Sequence, residues 1–88
     1  MNKEQCIEKL NKIAEQAKAG NYNYEVIIKD WVKDDKSRTY FSIVETVANS
    51  KHYVKKDYGY FDNVSQSYFG NKYADLNNNF GFSGARLD

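Results

Sequence analysis

Residues 23–47 have the sequence NYEVIIKDWVKDDKSRTYFSIVETV, in which two largely apolar stretches flank a short polar segment. Within residues 23–33, apolar side chains such as Tyr24 and Val26 alternate with others such as Glu25, which is the pattern of a β-strand. Residues 38–47 are rich in β-branched and aromatic residues, which favour strands. The polar residues 34–37 between them are typical of a turn. The stretch therefore predicts two antiparallel strands, 23–33 and 38–47, joined as a hairpin.

The segment before this hairpin, residues 3–19, has the periodicity of an amphipathic helix. Its apolar side chains recur every three or four residues and so share one face: Cys6, Ile7, Leu10, Ile13, Ala14 and Ala17. Asn2 is suited to cap the start of this helix, and Gly20 is suited to end it. We predict a helix over residues 3–19.

The segment after the hairpin contains further strand patterns, and we predict strands at 52–61 and 64–69 with a possible edge strand at 80–82. Gly59 lies inside the first of these, which indicates a β-bulge or a close backbone approach. The whole chain, 1–88, is predicted to form a single α+β domain, in which one N-terminal amphipathic helix packs on an antiparallel β-meander of three to five strands. A helix with one apolar face can cover only one face of this sheet. The other face, which also carries aromatic side chains, is then the predicted interaction surface.

The composition limits the classes of function. Thirteen basic and 12 acidic residues leave a net charge of +1 over 88 residues, so no overall field attracts nucleic acid or an anionic membrane. One cysteine cannot form an internal disulfide. The N-terminal residues do not resemble a signal peptide, and no apolar run is long enough to span a membrane. We expect a cytoplasmic protein that makes no membrane contact. The bias towards Lys, Asn, Tyr and Ile is typical of AT-rich genomes and suggests a phage or low-GC bacterial source.

The sequence offers little material for catalysis. Nucleophilic catalysis needs a nucleophile beside a base, yet His52 is the only histidine and Cys6 is the only thiol. Cys6 lies on the apolar helix face and is predicted to be a buried hydrophobic residue. Asp30, Asp34 and Asp35 lack the spacing of a calcium loop. We therefore expect a protein that is not an enzyme and that holds no metal and no cofactor.

Glu45 lies on the same predicted strand face as Phe41, Ile43 and Val47. A carboxylate among apolar neighbours can have a raised pKa and take part in acid–base chemistry. More often, such a carboxylate pairs with a lysine across the sheet or lies at the solvent-exposed end of the sheet, and this second interpretation is favoured.

A basic and aromatic segment covers residues 51–61, KHYVKKDYGYF. Single-stranded nucleic-acid binders combine rings for base stacking with nearby cations for the phosphates. Simple alternation places His52, Lys56, Tyr58 and Tyr60 on one strand face, with Lys55 on the other. The strand is therefore a candidate platform for single-stranded nucleic acid, and this is the alternative hypothesis.

The favoured hypothesis is a surface that binds another protein. Trp and Tyr dominate the energetics of protein interfaces, and a near-zero net charge suits a protein partner better than a polyanion. The candidate anchors are Trp31, Tyr40, Tyr58 and Tyr60. The sequence thus predicts a protein-interaction module, such as a regulator or inhibitor of a larger machine, with self-association through a strand edge as a further use of the same features.

Overall fold

The computed structural model describes residues 1–18, 22–47, 50–51, 53–71 and 85–88. One α-helix precedes four β-strands, which are α1 (Lys3–Ala17), β1 (Tyr22–Lys33), β2 (Lys36–Val47), β3 (Tyr53–Asp62) and β4 (Ser67–Phe69). The strands form one antiparallel sheet in the order β1-β2-β3-β4. This architecture confirms the predicted α+β fold with a helix packed on a β-meander. The possible strand at 80–82 lies outside the described residues.

Helix α1 is set by its cap and its apolar face. The Asn2 side chain accepts a hydrogen bond from the Gln5 amide, and the Gln5 side chain accepts one from the Asn2 amide, at 2.8 and 2.9 Å. The helix ends at Ala17, two residues before the predicted end. Its buried residues are Cys6, Leu10 and Ala14, and burial raises the pKa of the Cys6 thiol. In the described part of the chain, no helix has the length and apolar character that crossing a lipid bilayer requires.

The hairpin between β1 and β2 is tighter than predicted. Its turn contains only Asp34 and Asp35, and β2 begins at Lys36 instead of residue 38. Asp34 adopts the left-handed backbone region with φ 56°, which two-residue hairpin turns use because it matches the twist of the strands. As a result, Lys33 lies opposite Lys36, and the cross-strand partner of Trp31 is Arg38.

The main core cluster lies between α1 and one face of the sheet, which we call the proximal face, while Val44 is buried on the other face at 5% exposure. The buried residues of this cluster come from α1, from the proximal face of β2 and β3, and from the C-terminal segment: Cys6, Leu10, Ala14, Phe41, Ile43, Tyr58, Phe61 and Leu87. The β2 residues Phe41 and Ile43 alternate, as the period of two requires, whereas Tyr58 and Phe61 of β3 are three positions apart. The opposite face of the sheet, turned away from α1, is called the distal face.

A β-bulge in β3 changes which residues reach each face. The β2–β3 register shifts on either side of Phe41, so that Phe41 alone lies opposite two residues, Tyr58 and Gly59. Gly59 has φ 85°, a conformation that side chains disfavour. The predicted bulge is confirmed, but the prediction that Tyr58 and Tyr60 share a face is wrong. Because the extra residue reverses the alternation, Tyr58 enters the core at 5% exposure while Tyr60 lies on the distal face.

Candidate functional site

Four aromatic side chains and one arginine form a continuous cluster across all four strands on the distal face, with a step of two residues between Arg38 and Tyr40 on β2. We call this set the aromatic row, and it consists of Trp31 on β1, Arg38 and Tyr40 on β2, Tyr60 on β3 and Phe69 on β4. The register brings them together, since the directly opposed pairs are Trp31 with Arg38, Tyr40 with Tyr60, and Tyr60 with Phe69. The row therefore results from the pairing of all four strands.

Tyr60 is the centre of the aromatic row. Its ring lies 5.4 Å from that of Tyr40 with an interplanar angle of 45°, and 5.3 Å from that of Phe69 with an angle of 23°. The Arg38 guanidinium lies 4.5 Å from the Tyr60 ring centroid. Cross-strand aromatic pairs of this kind stabilise a sheet by about 0.2–1 kcal/mol each. The row is consequently a packed surface whose rings support one another.

Arg38 connects the two halves of the row. Its guanidinium lies 5.7 Å from the Trp31 ring centroid as well as above Tyr60, and a guanidinium over ring faces is held by cation–π attraction. Its Nη1 donates a hydrogen bond of 3.3 Å to the Tyr40 hydroxyl. This hydrogen bond, followed by the nearby Tyr60, Tyr40 and Asp62, raises the pKa of Arg38 against the opposing effect of burial. The arginine is therefore a permanent charge within an aromatic setting.

Asp62 faces Arg38 across the β2–β3 ladder and orders the turn that leads to β4. Its Oδ1 accepts hydrogen bonds from the amides of Ser65 and Val64, at 3.1 and 2.9 Å. The hydrogen bond from Ser65 is the main cause of the lowered pKa of Asp62, and Val64 and Arg38 lower that pKa further. Because this turn sets where Phe69 meets Tyr60, Asp62 positions one end of the row.

We expect the substitution Asp62→Asn to destabilise the fold at neutral pH and to have less effect in acid. The folded carboxyl has a pKa below its unfolded value, so its stabilising contribution is complete above the unfolded pKa and is lost as the pH falls through the folded pKa. Urea unfolding of both proteins across this pH range measures the difference. A difference in the free energy of unfolding that stays constant with pH would contradict this account.

A groove of about 480 Å3 runs beside the aromatic row. Tyr40, Tyr60 and Phe69 contribute to its wall, and Asp57 and Asn71 add polar groups at its margin. Tyr40 and Phe69 are exposed, at 37% and 44%. Gly59 also lines this groove, and because glycine has no side chain, it leaves space beside the Tyr60 ring. The groove can accept an apolar side chain on its aromatic wall.

The charges around the row have both signs. Lys29 lies opposite Tyr40 on β1, and Asp62 lies opposite Arg38 on β3. Further along β3, Lys55 and Asp57 form an ion pair with 4.0 Å between Nζ and Oδ1. Both side chains of this pair are half-exposed, so the pair adds little stability. Across the residues that the structure describes, the rim of the distal face is therefore mixed, with no continuous cationic stripe.

The residues predicted as partner-binding divide between the two faces. Trp31, Tyr40 and Tyr60 come together in the aromatic row, and Lys55 lies on the same face, opposite Val44. The other two described members, Lys56 and Tyr58, are on the proximal side, where the Lys56 Nζ lies 6.0 Å from the Tyr58 ring centroid. The bulge separates these two from the row. His52 lies outside the described residues.

Arg38 and Phe69 belong to the row but were not predicted. Arg38 has the same strand parity as Tyr40, which is a signal for a shared face, but the longer predicted turn concealed its pairing with Trp31. Phe69 is at the end of a three-residue strand, and its place opposite Tyr60 is set by the β3–β4 register. Alternation along β2 alone places Arg38 on the same face as Tyr40, whereas placing Phe69 beside Tyr60 requires the pairing of β3 with β4.

Glu45 has a polar neighbour on the proximal face. It lies directly opposite Tyr24, and the hydrogen bond to Glu45 is the main cause of the raised pKa of Tyr24. Glu45 thus has a polar partner across the sheet, but this partner is a tyrosine and not the predicted lysine. Among the described residues, no group of three or more His, Cys, Asp or Glu side chains is placed to hold a metal ion.

The comparisons with known proteins add no assignment to this geometry. No protein-family model matches the sequence, and neither a curated protein nor a solved structure matches the chain.

Proposed function

We propose that this chain is a small, non-enzymatic protein-binding domain that contacts its partner through the aromatic row and the adjacent groove. The supporting observation is the combination of exposed Tyr40 and Phe69 with a rigidly packed Tyr60 and Arg38 between them. Tyr, Trp and Arg are the residues that most often supply binding energy at the centres of protein interfaces. Rings that are already held in place lose little side-chain entropy when a partner docks.

The same packing disfavours the alternative, single-stranded nucleic-acid binding. A base stacks on a ring whose face is free, but Tyr60 has Arg38 above its ring and Phe69 stacked against it. The cations predicted to serve that function are also divided, because Lys55 and Lys56 are on opposite faces. A row of self-packed rings with a mixed rim therefore suits a protein surface better than a polynucleotide.

The groove suggests how a partner engages. An apolar side chain of the partner fills the space beside Tyr40 and Phe69, while polar groups of the partner meet the mixed charges at the rim. This arrangement has the apolar centre and polar edge that are typical of protein interfaces. In such an interface, truncating a central aromatic residue typically costs 2 kcal/mol or more, which is about thirtyfold in affinity.

The proposal predicts that Tyr40→Ala and Phe69→Ala each weaken partner binding by about thirtyfold. Tyr53→Ala is the matched control, because Tyr53 is also an exposed tyrosine on the distal face, at 63% exposure, but lies outside the row. In a pull-down from cell lysate, a protein that binds to the wild type and to Tyr53→Ala, but not to the two row variants, is identified as the partner. Titration with that purified partner then gives affinities through the fluorescence of Trp31, which is the only tryptophan.

Circular dichroism and urea unfolding establish that the row variants remain folded. If the wild type, Tyr40→Ala and Phe69→Ala capture the partner equally well, the aromatic row is not part of the interface. Tight, salt-sensitive binding of a mixed-sequence single-stranded oligonucleotide would instead support the alternative, since phosphate contacts produce a steep salt dependence.

A further inference from the structure

From Asn23 to Lys33, the outer edge of β1 is the longest strand edge in the described structure that has no neighbouring strand. β1 has 12 residues and is the first strand in the sheet order, and within the described ranges no strand pairs with its outer side. The opposite edge of the sheet is β4, with only three residues. A long exposed edge presents a row of backbone donors and acceptors that a further strand can use.

The hydrogen bonds of the sheet show which β1 residues direct their backbone outwards. The Ser37 carbonyl accepts a bond of 2.9 Å from the Asn63 amide, so the backbone of Ser37 faces β3. Backbone direction alternates along a strand, and the neighbours of Ser37, such as Arg38, therefore bond to β1. Since Trp31 is the partner of Arg38, the even-numbered residues of β1 carry the N–H and C=O groups that point away from the sheet.

Two apolar side chains accompany this edge. Val32 and Ile28 are 71% and 42% exposed. Both side chains are on the proximal side of β1. An adjacent strand would remove their surface from water, which is favourable in proportion to the area buried.

The sequence of β1 is complementary to itself in antiparallel pairing. When Ile27 is opposite Ile27 of a second copy, Glu25 meets Lys29 of that copy, and Lys29 meets its Glu25. In the same register, Val26 meets Ile28 and Tyr24 meets Asp30, with the reciprocal pairs created by symmetry. Opposed unlike charges and opposed apolar residues are the cross-strand pairs that stabilise a sheet.

Neighbouring registers lack this agreement. Centring the pairing on Ile28 places Ile27 opposite Lys29 and Val26 opposite Asp30. Centring it on Val26 places Glu25 opposite Ile27. Of these three registers, only the one about Ile27 combines charge pairs with apolar pairs, and its even-numbered pairs use the outward backbone groups identified above.

We propose that two copies of this chain associate by antiparallel β1–β1 pairing about Ile27, which forms one continuous eight-stranded sheet. The two-fold axis is perpendicular to the sheet, so both helices lie on one side and both aromatic rows on the other. The interface is isologous, as in most homodimers. This inference depends on the edge of β1 and is independent of the function proposed for the aromatic row.

A charge-swap experiment tests this pairing. Glu25→Lys and Lys29→Glu each place like charges opposite each other at two symmetry-related positions, and we expect each to weaken dimerisation about tenfold or more. The double variant restores unlike pairs and should recover the wild-type dimer. Within one chain, Glu25 lies opposite Val44 and Lys29 opposite Tyr40, so neither reversal creates a charge clash in the monomer.

Sedimentation equilibrium of the four proteins, from low to high micromolar concentration, measures the dimerisation constants, and circular dichroism checks that each variant is folded. A wild type that is monomeric throughout overturns the proposal. If the single charge reversals leave the dimerisation constant unchanged, or if the double variant does not recover the wild-type value, the proposed β1 register is wrong. As a second measurement, the amides of Val26 and Ile28 should become more protected from hydrogen exchange as the concentration rises, while the Ile27 amide should not change.

Discussion

We expect Gly59→Ala to destabilise the fold by about 3 kcal/mol or more, because a positive φ and a backbone collision act together. Gly59 has φ 85°, and a Cβ at this position would lie 2.1 Å from the Phe69 carbonyl oxygen and 2.8 Å from backbone atoms of Gly70. Backbone of a paired strand cannot move aside as a flexible side chain can. Relief requires that β4 separates from β3 or that the bulge is lost. Urea unfolding followed by circular dichroism measures the loss.

Gly70→Ala is the matched control for this substitution. The three atoms nearest to a Cβ added at Gly70 all belong to the Arg86 side chain, the closest at 2.8 Å, and a partly exposed arginine side chain can rotate away. We expect this variant to lose about 1 kcal/mol or less, as surface substitutions usually do. Equal destabilisation by the two alanines would show that the bulge does not depend on glycine at position 59.

The same glycine connects stability to the candidate site. The bulge turns Tyr60 to the distal face, where it contacts Tyr40, Arg38 and Phe69. Without the extra residue, Tyr60 would point into the core, and the aromatic row would lose its centre. A folded Gly59→Ala protein should therefore bind a partner of the row weakly, whereas Gly70→Ala should bind as the wild type does.

The elements of the fold could be predicted because each has a strong local signal. The three- and four-residue spacing of Cys6, Leu10 and Ala14 defines the buried helix face, and the alternation around Phe41 and Ile43 defines the buried face of β2. These patterns depend on which side chains must avoid water, and they persist whatever the detailed pairing. Element boundaries were less accurate, since the turn at Asp34 depends on a backbone conformation that composition does not specify.

The candidate site could be predicted only in part, because it depends on register. Trp31, Tyr40 and Tyr60 were identified as anchors, but the sequence does not determine that β3 changes face at Gly59. For that reason Tyr58 was assigned to the surface although it is buried. The two-residue turn sets the β1–β2 register that places Arg38 opposite Trp31. A sequence pattern does not specify the length of the turn, and so it does not specify this cross-strand pair.

The C-terminal segment is the part of the core that local patterns did not reveal. Leu87 is fully buried, yet it is flanked by the charged residues Arg86 and Asp88 and belongs to no helix or strand. Its amide donates a hydrogen bond of 3.0 Å to the Tyr68 hydroxyl, which in turn donates to the Tyr58 carbonyl. Long-range contacts thus determine the position of Leu87, and no periodicity in the sequence indicates them.

We expect Leu87→Ala to destabilise the fold by about 2–5 kcal/mol, the range for truncating a buried leucine. Leu87 belongs to the cluster that joins Cys6 and Leu10 of α1 to Phe61 of β3, so its truncation leaves a cavity where the helix meets the sheet. For a domain of this size, such a loss is a large fraction of the total stability. Thermal and urea unfolding of the variant measure it.

Asp88→Asn is the control that separates burial from charge at this end of the chain. Asp88 pairs with the Arg86 guanidinium at 2.8 Å, but both side chains are more than 40% exposed, and such pairs contribute about 0–1 kcal/mol. If the C-terminal segment is held mainly by Leu87 in the core, Leu87→Ala should unfold at much lower urea concentration than Asp88→Asn. Equal loss in the two variants would mean that the ion pair, and not the buried leucine, holds this segment against the sheet.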